Sequence, residues 1–273
     1  MIISCFIFLS LALSCIANAE PSAEDLLREA RLRPTTHPIT LAAEIRGAEE
    51  PFPLTFKIGK GQIEYQLHNP EETIVLKLGT TNSSLSETKK GITNLVTQEK
   101  RYQEIRNTGV TYDDLSLGFL YWPHPRLAGT QQLRGTKASM LELFPPENDR
   151  PLSKLAAGNA VPGAAGTQRL SAQKVLDGAS TGATTQYTSA VEFSKWSEGP
   201  YVSARLWIDQ NSGAPLRMEG FDKNGNLLKR FEVISAQKID GLWTLKEMRI
   251  ETFDSTTHAV TQRRYLTIHR DSK

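Results

Sequence analysis

Along most of the chain the apolar positions recur at every second residue. Leu54, Phe56 and Ile58 alternate with Thr55 and Lys57, and Ile63, Tyr65 and Leu67 alternate with Glu64 and Gln66. A period of two sends alternate side chains to opposite faces, so both runs predict strands with one buried face. Gly59-Lys60-Gly61 predicts the hairpin turn between them, and Asn69-Pro70 a second turn before a third strand, Ile74 to Leu78. Leu133 and Ala138 to Phe144 flank another turn at Gly135. Later, Val202, Ala204, Leu206 and Ile208 alternate with Ser203, Arg205 and Trp207, and Leu216 and Met218 with Arg217 and Glu219. Asn224-Gly225 and Asp240-Gly241 are dipeptides that accept the positive φ of tight primed turns. Val260 to Ile268 forms a last alternating run with Arg263 and Arg264 at its middle. The pattern predicts a mainly β chain, an up-and-down antiparallel sheet with a few helices.

Two segments depart from period two. Residues 22–31 predict a short helix, with Ser22 as N-cap, Asp25 three residues on, and Leu26, Leu27 and Ala30 on one side to pack as a plug. Thr111-Tyr112-Asp113-Asp114-Leu115 predicts a second helix start, because Thr111 can cap the amide three residues on and two carboxylates meet the positive end of the dipole. Leu115, Phe119 and Trp122 then share a face, and Pro123 and Pro125 end the helix.

Met1 to Ala19 carries no charged side chain and is almost continuously apolar, ending in Ala17-Asn18-Ala19. That stretch is short for a bilayer span and has the small-x-small ending of a cleavable export signal, so the expected cleavage lies between Ala19 and Glu20. Cys15 offers lipid anchoring as the less favoured alternative, since Ala12 stands where a lipobox usually has Leu. Once the signal is removed, neither Cys5 nor Cys15 remains, which excludes disulfides and thiol catalysis. About 250 residues remain, read as one domain spanning 20–273. Residues 146–190, rich in Ala, Gly, Thr and Pro, read as a flexible insertion with a marginal helix near Leu170 to Leu176.

Composition removes whole classes of function. The net charge is +2, and Lys and Arg are interleaved with Asp and Glu, so nucleic acid is excluded as a partner. The five histidines, His37, His68, His124, His258 and His269, lack metal-ligand spacing, so no metal site is expected. Asp113 and Asp114 are explained by helix capping before any acid pair. No nucleophile elbow, dinucleotide fingerprint or phosphate loop occurs, so neither catalytic residues nor a cofactor is predicted. An envelope-polymer hydrolase would need converged acids that the spacing does not show.

Thr111-Tyr112-Asp113-Asp114-Leu115-Ser116 runs into Phe119-Leu120-Tyr121-Trp122. Leu206-Trp207-Ile208-Asp209 follows, then Gly220-Phe221-Asp222 through Asn224-Gly225 to Lys229-Arg230-Phe231. In this order, behind an export signal, these stretches resemble the LolA-like outer-membrane lipoprotein-sorting proteins. The resemblance covers roughly 54–144 and 201–268. It implies an incomplete β-barrel, a strongly curved antiparallel sheet closed by short helices around an apolar hollow. It further implies a periplasmic, non-enzymatic carrier, expected as a monomer, that binds lipoprotein acyl chains or lipid. Inner- and outer-membrane proteins would load and unload it. Leu54, Phe56, Tyr65, Leu206, Ile208 and Met218 are the candidate lining residues on the strands, with Leu115, Phe119 and Trp122 on a movable lid. A polar residue that holds the lid shut is not identified in the sequence. The alternative function is an envelope interaction or sensor module, in which Trp207 and Phe221, on the strand faces opposite the apolar rows, bind a protein partner.

Overall fold

The computed structural model describes residues 21–32, 37–48, 50–146 and 199–269. The export signal and the cleavage site at Ala19 and Glu20, the alternative anchor Cys15 and nearly all of the 146–190 insertion lie outside them.

The chain begins with α1 (Ala23–Leu32), then β1 (Ile39–Arg46), β2 (Phe52–Gly59), β3 (Gln62–Leu67), β4 (Glu72–Leu78), β5 (Ser83–Lys89) and β6 (Ile92–Leu95). Two short helices, α2 (Gln98–Arg101) and α3 (Tyr112–Ser116), and a 3₁₀ turn at Gly118–Tyr121 follow. The remaining strands are β7 (Arg126–Leu133), β8 (Thr136–Leu143), β9 (Ser203–Asp209), β10 (Pro215–Phe221), β11 (Leu227–Ile239), β12 (Leu242–Phe253) and β13 (Val260–His269). All thirteen form one sheet in the order β6-β5-β4-β3-β2-β1-β13-β12-β11-β10-β9-β8-β7, not closed into a barrel. Two meanders are therefore joined where β1 pairs with β13, from Arg46↔Tyr265 to Ala42↔His269.

The turns follow from their residues. Lys60 and Gly61, and again Asp240 and Gly241, both hold positive φ, which makes the tight primed turns that match strand twist. Asn224-Gly225 does otherwise. Only Gly225 is left-handed there, and the Asp222 carboxylate accepts from the amides of Asn224 and Asn226, so the loop is wider than the dipeptide predicts. A bulge between Pro215 and Arg217 also turns Leu216 away from Met218, onto the outer face beside Trp207.

The curvature is fixed by α3. Ser83 at the start of β5 donates through Oγ to the Ser116 carbonyl, while Lys229 on β11 reaches Asp114. These strands lie seven steps apart in the sheet, ~34 Å at about 4.8 Å per step if it were flat. Helix α3 has five residues and spans only ~7 Å. The sheet must curl so that both halves meet the same short helix.

Candidate functional site

The helical cap is built by local signals. Thr111 Oγ1 accepts from the Asp114 amide and the Asp114 carboxylate accepts from the Thr111 amide, a complete capping box. The helix does not continue to Trp122 as the periodicity predicts. Leu117 adopts the left-handed conformation (φ 50°, ψ 30°), ends α3 and starts the 3₁₀ turn, so Leu115, Phe119 and Trp122 do not share one face. Helix α1 forms the second part of the cap, as a plug buried through Ala23, Leu26, Leu27 and Ala30 and fastened by Arg31 to the Thr80 carbonyl at 2.6 Å. Ser22 Oγ accepts from the Asp25 amide at its start.

Beneath the cap the candidate residues fall into two adjoining apolar clusters. Leu54, Phe56 and Tyr65 belong to the first, centred on β1 to β5, where the Phe56 and Tyr65 rings meet edge to face at 5.4 Å, and Leu115 packs against it. Trp122, Leu206, Ile208 and Met218 belong to the second with α1, Leu141 and Leu143, and Phe119 packs against it. Leu78, Leu117 and Phe231 touch both clusters and join them. Ile74, Leu76, Leu141, Leu143, Leu206 and Ile208 are almost wholly buried, each contributing about 1.5–3 kcal/mol by its removal from water. The open space left between Phe119, Trp122, Met218 and Tyr201 is about 10 Å³, the room of one water molecule. Among the described residues, the apolar side chains of the two clusters pack closely around this space.

A buried polar latch crosses this apolar interior. Lys229 Nζ lies 2.6 Å from Asp114 Oδ2, and Tyr201 Oη donates to Asp114 Oδ1 at 3.1 Å. The Asp114 and Lys229 side chains are 1% and 8% exposed, so removing either leaves an uncompensated charge in apolar surroundings. Burial and the Asp114 carboxylate push the Tyr201 hydroxyl well above its ordinary range. Tyr201 packs over Gly220, where a Cβ would meet its ring at 2.5 Å, so the absent side chain lets the ring reach α3. Burial raises the neighbouring Asp113 carboxyl to about 6, against the opposing pull of Arg101, and the Asp114 charge adds to the rise. At the same end of the sheet, Glu72 and Glu87 face inward from β4 and β5. Tyr112 Oη donates to Glu72 at 3.3 Å, Arg106 lies 2.9 Å from Glu72, and Lys89 and Lys100 pair with Glu87. Burial works upward on Glu87, but its bonds to Glu72, Lys100 and Lys89 outweigh that and hold it at about 2. Lys229, Tyr201, Leu117 and Phe231 were not among the sequence candidates. Lys229 and Asp114 are far apart in the chain, and only the curl of the sheet brings them together.

The aromatic residues expected to be exposed for a protein partner are covered. Trp207 does lie on the outer face, but it is 4% exposed, donating Nε1 to Gln131 and lying beneath the Arg217 guanidinium at 5.4 Å. Phe221 is half-buried under Arg205 at 5.0 Å. Outer-face charges such as Glu219, Arg230, Glu251 and Arg263 form a row of ion pairs across β10 to β13. Among the described residues no group of His, Cys, Asp or Glu is arranged to hold a metal ion, and no helix is long and apolar enough to cross a membrane.

A family model described as an uncharacterized protein matches residues 172–272, and no curated protein matches the chain. Among solved structures, the chain is similar to a DUF1329 family protein from Desulfovibrio piger, with 14% identity over 91% of this chain and 90% of that one and a TM-score of 0.56. It is also similar to a putative outer membrane lipoprotein-sorting protein domain from Vibrio parahaemolyticus (14% identity, 91% and 92% covered, TM-score 0.54). A LolA superfamily protein from Nitrosomonas europaea gives 14% identity, 92% and 93% coverage and a TM-score of 0.51. At such identity the likeness is one of fold: the chain folds as a LolA-like protein, with an open antiparallel sheet curled around a helical cap.

Proposed function

We propose that this chain is a non-enzymatic carrier of the periplasm that binds the acyl chains of lipoproteins or lipid beneath its helical cap, for sorting to the outer membrane. Moving an acyl chain of about fifteen CH₂ groups into water costs about 12 kcal/mol at ~0.8 kcal/mol each, so a carrier must offer an apolar alternative. The two joined clusters under the cap are that alternative once α3 and the 3₁₀ turn lift away. The observation that carries this reading is the Asp114–Lys229–Tyr201 latch. A purely structural cap would be held as well or better by apolar packing, whereas a desolvated ion pair is lost as a unit when water reaches it, which suits a cap that opens. One neighbouring structure is of a lipoprotein-sorting domain, which agrees with this reading.

The test is native mass spectrometry of the chain from Glu20 onward, purified from a periplasmic extract, followed by uptake of a fluorescent fatty acid after delipidation. Co-purifying lipid or acylated protein and saturable uptake are expected. Phe56→Asp and Met218→Asp should each abolish uptake while the far-ultraviolet spectrum of the sheet survives. Unchanged uptake in both variants overturns the cavity assignment, and a bare mass with no uptake sends the assignment to the interaction-module alternative.

A further inference from the structure

The two longest strands, β11 and β12, form a hairpin that outruns its neighbours. β10 pairs with β11 no further than Arg217↔Glu232, and β13 joins β12 only from Glu247↔Thr267, so the tip around Asp240-Gly241 stands beyond both. One face of this ribbon rests on the core through Ile239. The other carries Trp243, 71% exposed, directly opposite Lys238, whose Nζ lies 5.6 Å from the indole ring. The strand register puts the tip at the same end of the sheet as the β2–β3 turn, the end of β4 and the start of β8. Exposed Lys60, Lys77, Lys137, Lys238 and Lys246 gather at that end. None of the five is in an ion pair among the described residues, in contrast to the paired charges of the outer face.

We infer that this hairpin docks the protein on an anionic lipid bilayer, Trp243 entering the headgroup region and the lysines facing lipid phosphates. A single indole is far too small a patch for a stable protein interface, which buries about 800 Å² on each partner. It suits a bilayer surface, where an amphipathic ring and flanking ammonium groups sit at the boundary between acyl chains and water. The unpaired lysines supply the charge complement, each near an anionic surface strengthening binding about fivefold. Lys229 and the latch sit at the opposite end of β11, so docking leaves the cap free to move. The inference builds on the carrier reading, because a carrier of acyl chains exchanges its cargo at membrane surfaces.

The test is cosedimentation of the chain from Glu20 onward with vesicles of phosphatidylcholine alone or mixed with phosphatidylglycerol, alongside fatty-acid uptake by the same samples. Binding to the anionic vesicles, weakened by salt, is expected. Trp243→Ala should weaken it several-fold, Lys238→Gln and Lys246→Gln about fivefold each, and all three should keep wild-type uptake. Equal partitioning of wild type and Trp243→Ala, or no preference for anionic vesicles, overturns the inference. So does a protein retained through Trp243 by a chain that ignores vesicles. If anionic vesicles bind through Trp243 but no fatty acid is taken up, the carrier reading fails and the docking surface stands.

Discussion

Asp114 is asked to do two things at once, capping its own helix and neutralising Lys229. Replacing Lys229 by Met keeps the cap but strands the carboxylate in apolar surroundings, which costs about 3–5 kcal/mol. Urea unfolding of Lys229→Met should show a loss of that size, and a loss below about 1 kcal/mol would mean that water reaches the pair. The adjacent Asp113 gives a pH signature. Its carboxyl is raised from 3.8 to about 6, so between these values the folded chain holds a proton that the unfolded chain has released. Stability contributed by this group therefore falls as pH rises from about 4 to 6. Asp113→Asn should stabilise the protein at pH 7 by about 1–2 kcal/mol, discounted for the partial exposure of the side chain. The gain should vanish below pH 4, and thermal melts at the two pH values would show it. The helix-capping role of Asp114 was legible from Thr111 and the order of charges, whereas Asp113 takes no part in the capping box. The partner Lys229 was not legible, because a lysine in an alternating strand carries no mark of burial.

At the level of elements, strands were readable where one face is apolar and the other polar, as in β2, β3 and β9. β5 was missed because its inward face is Ser83, Leu85 and Glu87, with a single apolar side chain to set the period. β6 was missed because all four of its residues are exposed and nothing selects a face. The break after α3 had one weak signal in Gly118, but the residue that turns left-handed is Leu117, which carries no mark of it. The capping box ahead of it then sets the start of the short helix, while Ser83, Lys229 and Tyr201 fasten the helix to the sheet. Thr111→Ala should cost about 1 kcal/mol and should speed hydrogen exchange through 112–121 more than in β8 or β9. Uniform acceleration across the sheet would instead place the capping box within the global folding unit.

For the molecule as a whole, the separate strands did not reveal that β1 and β13 meet, the pairing that makes one sheet of the two meanders for α3 to curl. Because the curl brings β5 and β11 to the same helix, one cross-link can test whether the cap must move. Ser83 and Ser116 are in contact, Ser83 Oγ lying 3.0 Å from the Ser116 carbonyl, and both natural cysteines fall within the expected signal. A Ser83→Cys, Ser116→Cys chain starting at Glu20 therefore has two thiols, one on β5 and one on α3, and loss of free thiol on oxidation shows that they have joined. If acyl chains enter beneath the cap, oxidation should stop fatty-acid uptake and reduction should restore it, while the melting temperature rises on oxidation because the unfolded chain is constrained. Uptake that is indifferent to the cross-link would mean that cargo reaches the clusters without lifting α3. The entrance would then be sought between α1 and the β4–β5 loop, where Arg31 and Tyr121 hold the Thr80 and Gly79 carbonyls.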